Sequence, residues 1–139
     1  MSGRIFVDTN VLVYCFDRSA PDKMNTAHAL VNDLWDNENG VLSLQVLKEF
    51  FVTVTSKLAV RMDPQSAKSA VFDLMSWTLV YEDRRSMEKA FEIAENFRLS
   101  FWDANILSAA LLSNCEALYT EDLQHGQSID GLRIVNPFL

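Results

Sequence analysis

Short apolar segments alternate with helix-period segments along this chain, and that alternation limits the folds open to it more than any other feature. Arg4–Val7 reads as a first strand, and Asn10–Phe16 has the apolar density of a buried helix. After the break at Ser19-Ala20-Pro21-Asp22, Met24–Trp35 spaces Ala27, Leu30, Val31, Leu34 and Trp35 along one helix face. Asn39-Gly40 marks a turn before a second strand at Val41–Leu44. Gln45–Lys57 returns to helix, with Val46, Leu47, Phe50 and Val54 on one side. Asp63-Pro64 has the form of an N-cap followed by the first helical residue, opening a helix that runs to Ser76. Thr78–Tyr81 is a third strand, Met87–Phe97 a helix, and Ser100 opens another that reaches Leu112. Ala117–Tyr119 and Leu132–Val135 supply strands four and five before Pro137.

Strands separated by helices pair in parallel and are covered by helices on both sides. The expected fold is therefore α/β, a five-stranded parallel sheet flanked by helices in three layers. The 139 residues, 49% apolar and 22% charged, suit one globular domain with one core and exclude wholesale disorder. No apolar run is long enough to span a bilayer. Ile5–Val7 meets Asp8 too early for a signal peptide, so a soluble, cytoplasmic protein is expected.

In a doubly wound sheet, ligands bind beyond the carboxyl ends of the strands, where the strand order reverses. Four acids fall where such a site would be. Asp8 ends the first strand in FVDTN, and Asp122 follows the fourth in LYTED. If those strands are neighbours, the two carboxylates converge. Asp103 opens a helix in SFWDANIL, and Glu49 interrupts the apolar face of VLKEFFVTV, where Phe50 and Phe51 would orient it. Each acid also has a plain structural role open to it. Asp8 can cap the helix that follows, and Ser100-x-x-Asp103 matches a capping box. Glu49 and Asp122 can be exposed helix and turn residues.

A fold gathers carboxylates either to share a proton or to bind cations. Several oxygen donors without His or Cys suit a hard ion, Mg²⁺ or Mn²⁺, and such ions work on phosphate. The other metal-binding chemistries lack residues. Cys15 and Cys115 have no Cys or His partner at zinc-ligand spacing and read as buried thiols, while His28 and His125 stand alone. The net charge of −7, from 19 acids and 12 bases, argues against coating nucleic acid by bulk attraction. It leaves room for an enzyme that holds nucleic acid through cations.

In FVDTNVLVYCFD, LQVLKEFF, LSFWDANIL and LYTEDLQHG, in that order, the chain resembles the PIN-domain ribonucleases over essentially its whole length. The tail SIDGLRIVNPF is similar to the closing strand of a bacterial branch. The resemblance implies a PIN-like three-layer fold and metal-ligand roles for Asp8, Glu49, Asp103 and Asp122, with Asn10 and Thr120 supporting them. It further implies a Mg²⁺- or Mn²⁺-dependent endoribonuclease of the VapC toxin type, inhibited by a small antitoxin protein and commonly dimeric. Arg18, Lys23, Lys48, Lys57 and Arg61 are candidate RNA contacts. Glu121, where many relatives carry an uncharged or basic residue, is expected to face solvent.

Rival readings lack their residues. A haloacid-dehalogenase-type phosphatase needs a second Asp where this chain has Asn10, and no Gly-rich phosphate loop follows the first strand. A catalytically inactive PIN-like module that only binds RNA or protein is the remaining alternative. The apolar faces of Met24–Trp35 and Pro64–Trp77 lead us to expect a two-fold homodimer.

Overall fold

A computed structural model describes residues 3–139. Strand β1 (Arg4–Val7) leads to α1 (Thr9–Tyr14) and α2 (Pro21–Asn37), then β2 (Gly40–Ser43), α3 (Leu44–Ser56) and α4 (Pro64–Leu74). Next come β3 (Thr78–Val80), α5 (Arg84–Phe97), α6 (Phe101–Leu112) and β4 (Cys115–Tyr119), and the chain closes with β5 (Ser128–Ile129) and β6 (Leu132–Val135). The sheet order is β3-β2-β1-β4-β6-β5. Helices flank the sheet, α1 to α4 packing on one another and α5 on α6.

The chain first steps outward from β1 to β2 and β3, then returns to lay β4 on the other side of β1. That reversal makes the β1/β4 seam the switch point. The seam is parallel, with Val7 opposite Tyr119, and the Asp8 amide extends it by donating to the Tyr119 carbonyl at 3.0 Å. One residue past that register, Asp8 and Thr120 stand side by side at the carboxyl edge.

Local chemistry explains the element boundaries. Pro21 and Pro64 occupy the first turns of α2 and α4, and the Asp63 side chain caps α4 as expected. Asp83 opens α5 with a full capping box to Ser86, which starts that helix three residues before the apolar period alone suggests. Ala104–Ala110 of α6 are all buried, because this helix is apolar around its circumference and lies inside the structure.

The sheet has six strands where five are expected. Five are parallel, and the two-residue β5 is antiparallel to β6. The turn between them is Asp130-Gly131, with φ of 51° and 87°. Positive φ at both positions is what a two-residue hairpin of matching twist demands, and Asp-Gly supplies it. Among the described residues no helix is long and apolar enough to cross a membrane.

Candidate functional site

Asp8 is the centre of a polar network at the switch point. Its Oδ1 accepts from the Thr9 amide at 2.7 Å, so it does begin α1. Its Oδ2 accepts from the Thr120 hydroxyl at 2.8 Å and lies 3.5 Å from the Asn10 amide nitrogen. The same amide nitrogen donates to Asp122 Oδ2 at 3.0 Å. Thr120 Oγ1 in turn accepts from the Asp122 backbone amide at 3.1 Å. Capping and clustering are thus combined in one residue.

Asp8 is buried, and that burial pushes its carboxyl up to about 6. Hydrogen bonds from Thr120 and Thr9 oppose the rise, and the charges of Asp122 and Glu49 add to it. Glu49 therefore acts on the same point in space, although it projects from exposed surface of α3. Its Oε1 accepts from Thr9 Oγ1 at 3.3 Å and from Gln45 Nε2 at 3.1 Å. Orientation comes from these two polar neighbours, whereas Phe50 behind it belongs to the core.

Asp103 sits in the first turn of α6, where its amide donates to Ser100 Oγ at 3.1 Å. The reciprocal half of the capping box is missing, and among the described residues no hydrogen bond reaches the Asp103 carboxylate or joins it to the other three acids. No three Asp, Glu, His or Cys side chains among the described residues are gathered tightly enough to hold a metal ion. The structure brings Asp8, Asn10, Thr120 and Asp122 together, holds Glu49 beside them through Thr9, and leaves Asp103 apart.

Glu121 does not face solvent. It accepts from the Tyr14 hydroxyl at 2.6 Å and pairs with Lys23 Nζ at 2.8 Å. Burial works against its charge, but Lys23 and Tyr14 together hold its carboxyl below the usual glutamate range. Its amide also donates to Asn10 Oδ1 at 3.2 Å, so the Lys23–Glu121 pair anchors the loop that presents Asp122.

Three contributors escape the sequence reading. Gln45 stands one helical turn before Glu49, a spacing that places both on one face. Thr9 follows Asp8 directly. Glu82 lies just past β3 at the same sheet edge, and its Oε1 accepts from the Gln45 amide at 3.3 Å. Among the described residues no hydrogen bond joins a thiol or an imidazole to this network. Burial pushes Cys15 up to about 12, His28 contacts the Cys15 carbonyl, and His125 accepts from the Asn136 amide.

A family model described as PIN domain matches residues 5–127. The chain belongs to the PIN-domain family. No curated protein sequence matches it. Among solved structures, this PIN domain is similar to a toxin–antitoxin complex from Klebsiella pneumoniae, with 20% identity and a TM-score of 0.72 over 97% of this chain and 98% of that one. It is similar to VapC20 of Mycobacterium tuberculosis, a toxin that cleaves the sarcin-ricin loop, at 18% identity and TM-score 0.63 over 85% and 89% of the two chains. The DNA-bound VapBC2 complex of Rickettsia felis gives 18% identity and TM-score 0.66 over 94% and 96%. At these identities the likeness concerns the fold.

Proposed function

We propose that this PIN-domain protein is a metal-dependent endoribonuclease that hydrolyses RNA phosphodiester bonds in the cytoplasm as the toxin of a toxin–antitoxin pair. The observation that carries the reading is the meeting of the Asp8 and Asp122 carboxylates across the β1/β4 switch point, locked by Asn10 and Thr120. A buried carboxylate, Asp8, held beside a second one at the surface, Asp122, favours a counter-cation, and every donor present is oxygen. Mg²⁺ keeps several waters and asks for only one or two protein carboxylates, so a pair of acids is donor set enough. Asp8 and Asp122 would hold Mg²⁺ or Mn²⁺ directly, with Glu49 and Asp103 acting through water. The ion, when bound, promotes attack by water and neutralises charge developing on the phosphate.

The chain's own residues supply the orientation. Thr120 and the Thr9 amide fix both oxygens of Asp8, Asn10 aligns Asp122, and Gln45 with Thr9 aims Glu49. The antitoxin partner is supported by the likeness to toxin–antitoxin complexes of the same fold. Dimerisation is supported by exposed apolar side chains on α4, at its C-cap and on α2, with Phe72 60%, Met75 40% and Trp35 40% exposed. Light scattering should give twice the chain mass at micromolar concentration, and a monomer would refute that assembly.

The deciding experiment is cleavage of single-stranded RNA with Mg²⁺ or Mn²⁺ and its arrest by EDTA. Full activity in EDTA would remove the metal from the reading. Binding without cleavage under any divalent ion would leave the inactive module.

A further inference from the structure

A cleft of about 440 Å³ opens beside Glu49, lined by Gln45, Lys48, Glu49, Glu82 and Trp102. Trp102 is 63% exposed there. Its indole stands edge-on to Phe101 at 5.5 Å between centroids, and Phe101 packs on Phe91 at 5.3 Å. The ring is thus propped from behind while most of its area meets solvent. An exposed tryptophan on a firm aromatic base, one residue from Asp103 and across a cleft from Glu49, is placed to meet whatever passes the acids.

The charges around the ring say which part of a nucleic acid enters. Glu49 and Glu82 set carboxylates in the cleft wall, and these repel a phosphate. The same carboxylates accept hydrogen bonds from the N–H groups that every nucleobase carries on its edge. Lys48 is the cation of the cleft, and Arg84 and Arg85 follow Glu82 on exposed surface. Cations beside an aromatic platform are the pattern of a single-strand site, where the backbone follows the cations and the bases stack. A protein partner would want an interface core free of charge, whereas Lys48, Glu49 and Glu82 all line this cleft.

We propose that this cleft is a base-binding subsite, in which single-stranded RNA stacks one unpaired nucleobase on Trp102 and sets the adjoining phosphate against Lys48. The proposal rests on the nuclease reading for the path of the strand past Glu49. It adds a residue that acts on the base, away from the cleaved bond.

Binding is measured in low salt without divalent ions, where no cleavage occurs. The probe is an end-labelled, unstructured oligocytidine of about 12 nucleotides, followed by anisotropy. Trp102→Ala should weaken binding roughly 5- to 100-fold, the range expected for one lost base–aromatic stack. Trp102→Phe should retain most of the affinity while abolishing the quenching of tryptophan emission expected of the wild type. RNA cleavage in Mn²⁺ together with unchanged affinity in Trp102→Ala overturns the subsite and leaves the nuclease standing. Quenching and binding without any cleavage keeps the subsite and removes the nuclease. Normal RNA affinity with a lost dimer in Trp102→Ala assigns the face to a protein interface and overturns the proposal.

Discussion

The Asn10 side-chain amide donates to Asp122 Oδ2 at 3.0 Å, so a residue that opens α1 holds an acid that lies beyond β4. The same nitrogen is 3.5 Å from Asp8 Oδ2, which makes Asn10 a neutral spacer between two carboxylates. Its neutrality matters. Asn10→Asp would set a third negative charge within hydrogen-bonding distance of both, and like charges that close shift pKa values and cost stability. We expect a loss of roughly 1–3 kcal/mol in EDTA, largely recovered in Mn²⁺. Equal melting temperatures for variant and wild type in EDTA would mean that Asn10 does not separate the acids.

Asp8 gives the metal-free protein a pH dependence with a definite sign. Its carboxyl is pushed up to about 6, above the value for an unfolded chain, so the native state binds the extra proton between those two points. The stabilisation is fully present below the unfolded value and is lost as pH rises through about 6. The loss is of the order of 3 kcal/mol. Asp8→Asn removes it, so in EDTA the variant should gain on the wild type from pH 4 to pH 7. Urea melts across that interval check this, and a difference independent of pH would show that Asp8 is not the titrating group.

How far the site could be read from the sequence follows from how local its causes are. Apolar alternation places strand ends, so the approach of Asp8 and Asp122 is legible from the sequence given that β1 and β4 are neighbours. The Gln45–Glu49 pair was equally open to reading, being one helical turn apart. The partners of Glu121 were not, because Tyr14 and Lys23 come from α1 and α2 and only tertiary packing brings them to the loop after β4. Strand β5 escaped because two residues carry no period. Its signal lay in Asp130-Gly131, a dipeptide suited to the hairpin turn.

Gly40 opens β2 because of a neighbour rather than its backbone. A Cβ there would lie 2.3 Å from Trp77 Cζ3 and 2.4 Å from Cε3. Trp77 cannot easily retreat, since it is buried and packs edge-on to Trp35 at 5.6 Å. Gly40→Ala should therefore cost about 1–3 kcal/mol or more by overpacking. Trp77→Leu removes the atoms in question, so the two changes together should cost less than their sum. Strict additivity in urea melts would show that the ring yields.

Asp103 sits in the first turn of α6, apart from the other acids, and two roles for it predict opposite signs. As a helix-start residue it interacts favourably with the first turn of α6, where its amide already bonds Ser100 Oγ. Asp103→Asn would then lower stability by roughly 0.3–1 kcal/mol, with or without metal. As a member of the acid group it adds repulsion to the metal-free protein instead. With an ion and a water between them, two like charges about 8 Å apart at an effective dielectric near 20 repel by roughly 2 kcal/mol before counterions relieve them, which still outweighs the helix term. We expect the second outcome. Asp103→Asn should melt above the wild type in EDTA, gain less from Mn²⁺, and lose RNA cleavage in step with that smaller gain. Paired thermal melts of the two proteins, each in EDTA and in Mn²⁺, decide it. A variant that melts lower in EDTA and keeps the full Mn²⁺ shift makes Asp103 a helix-start residue, leaving the ion to Asp8, Glu49 and Asp122.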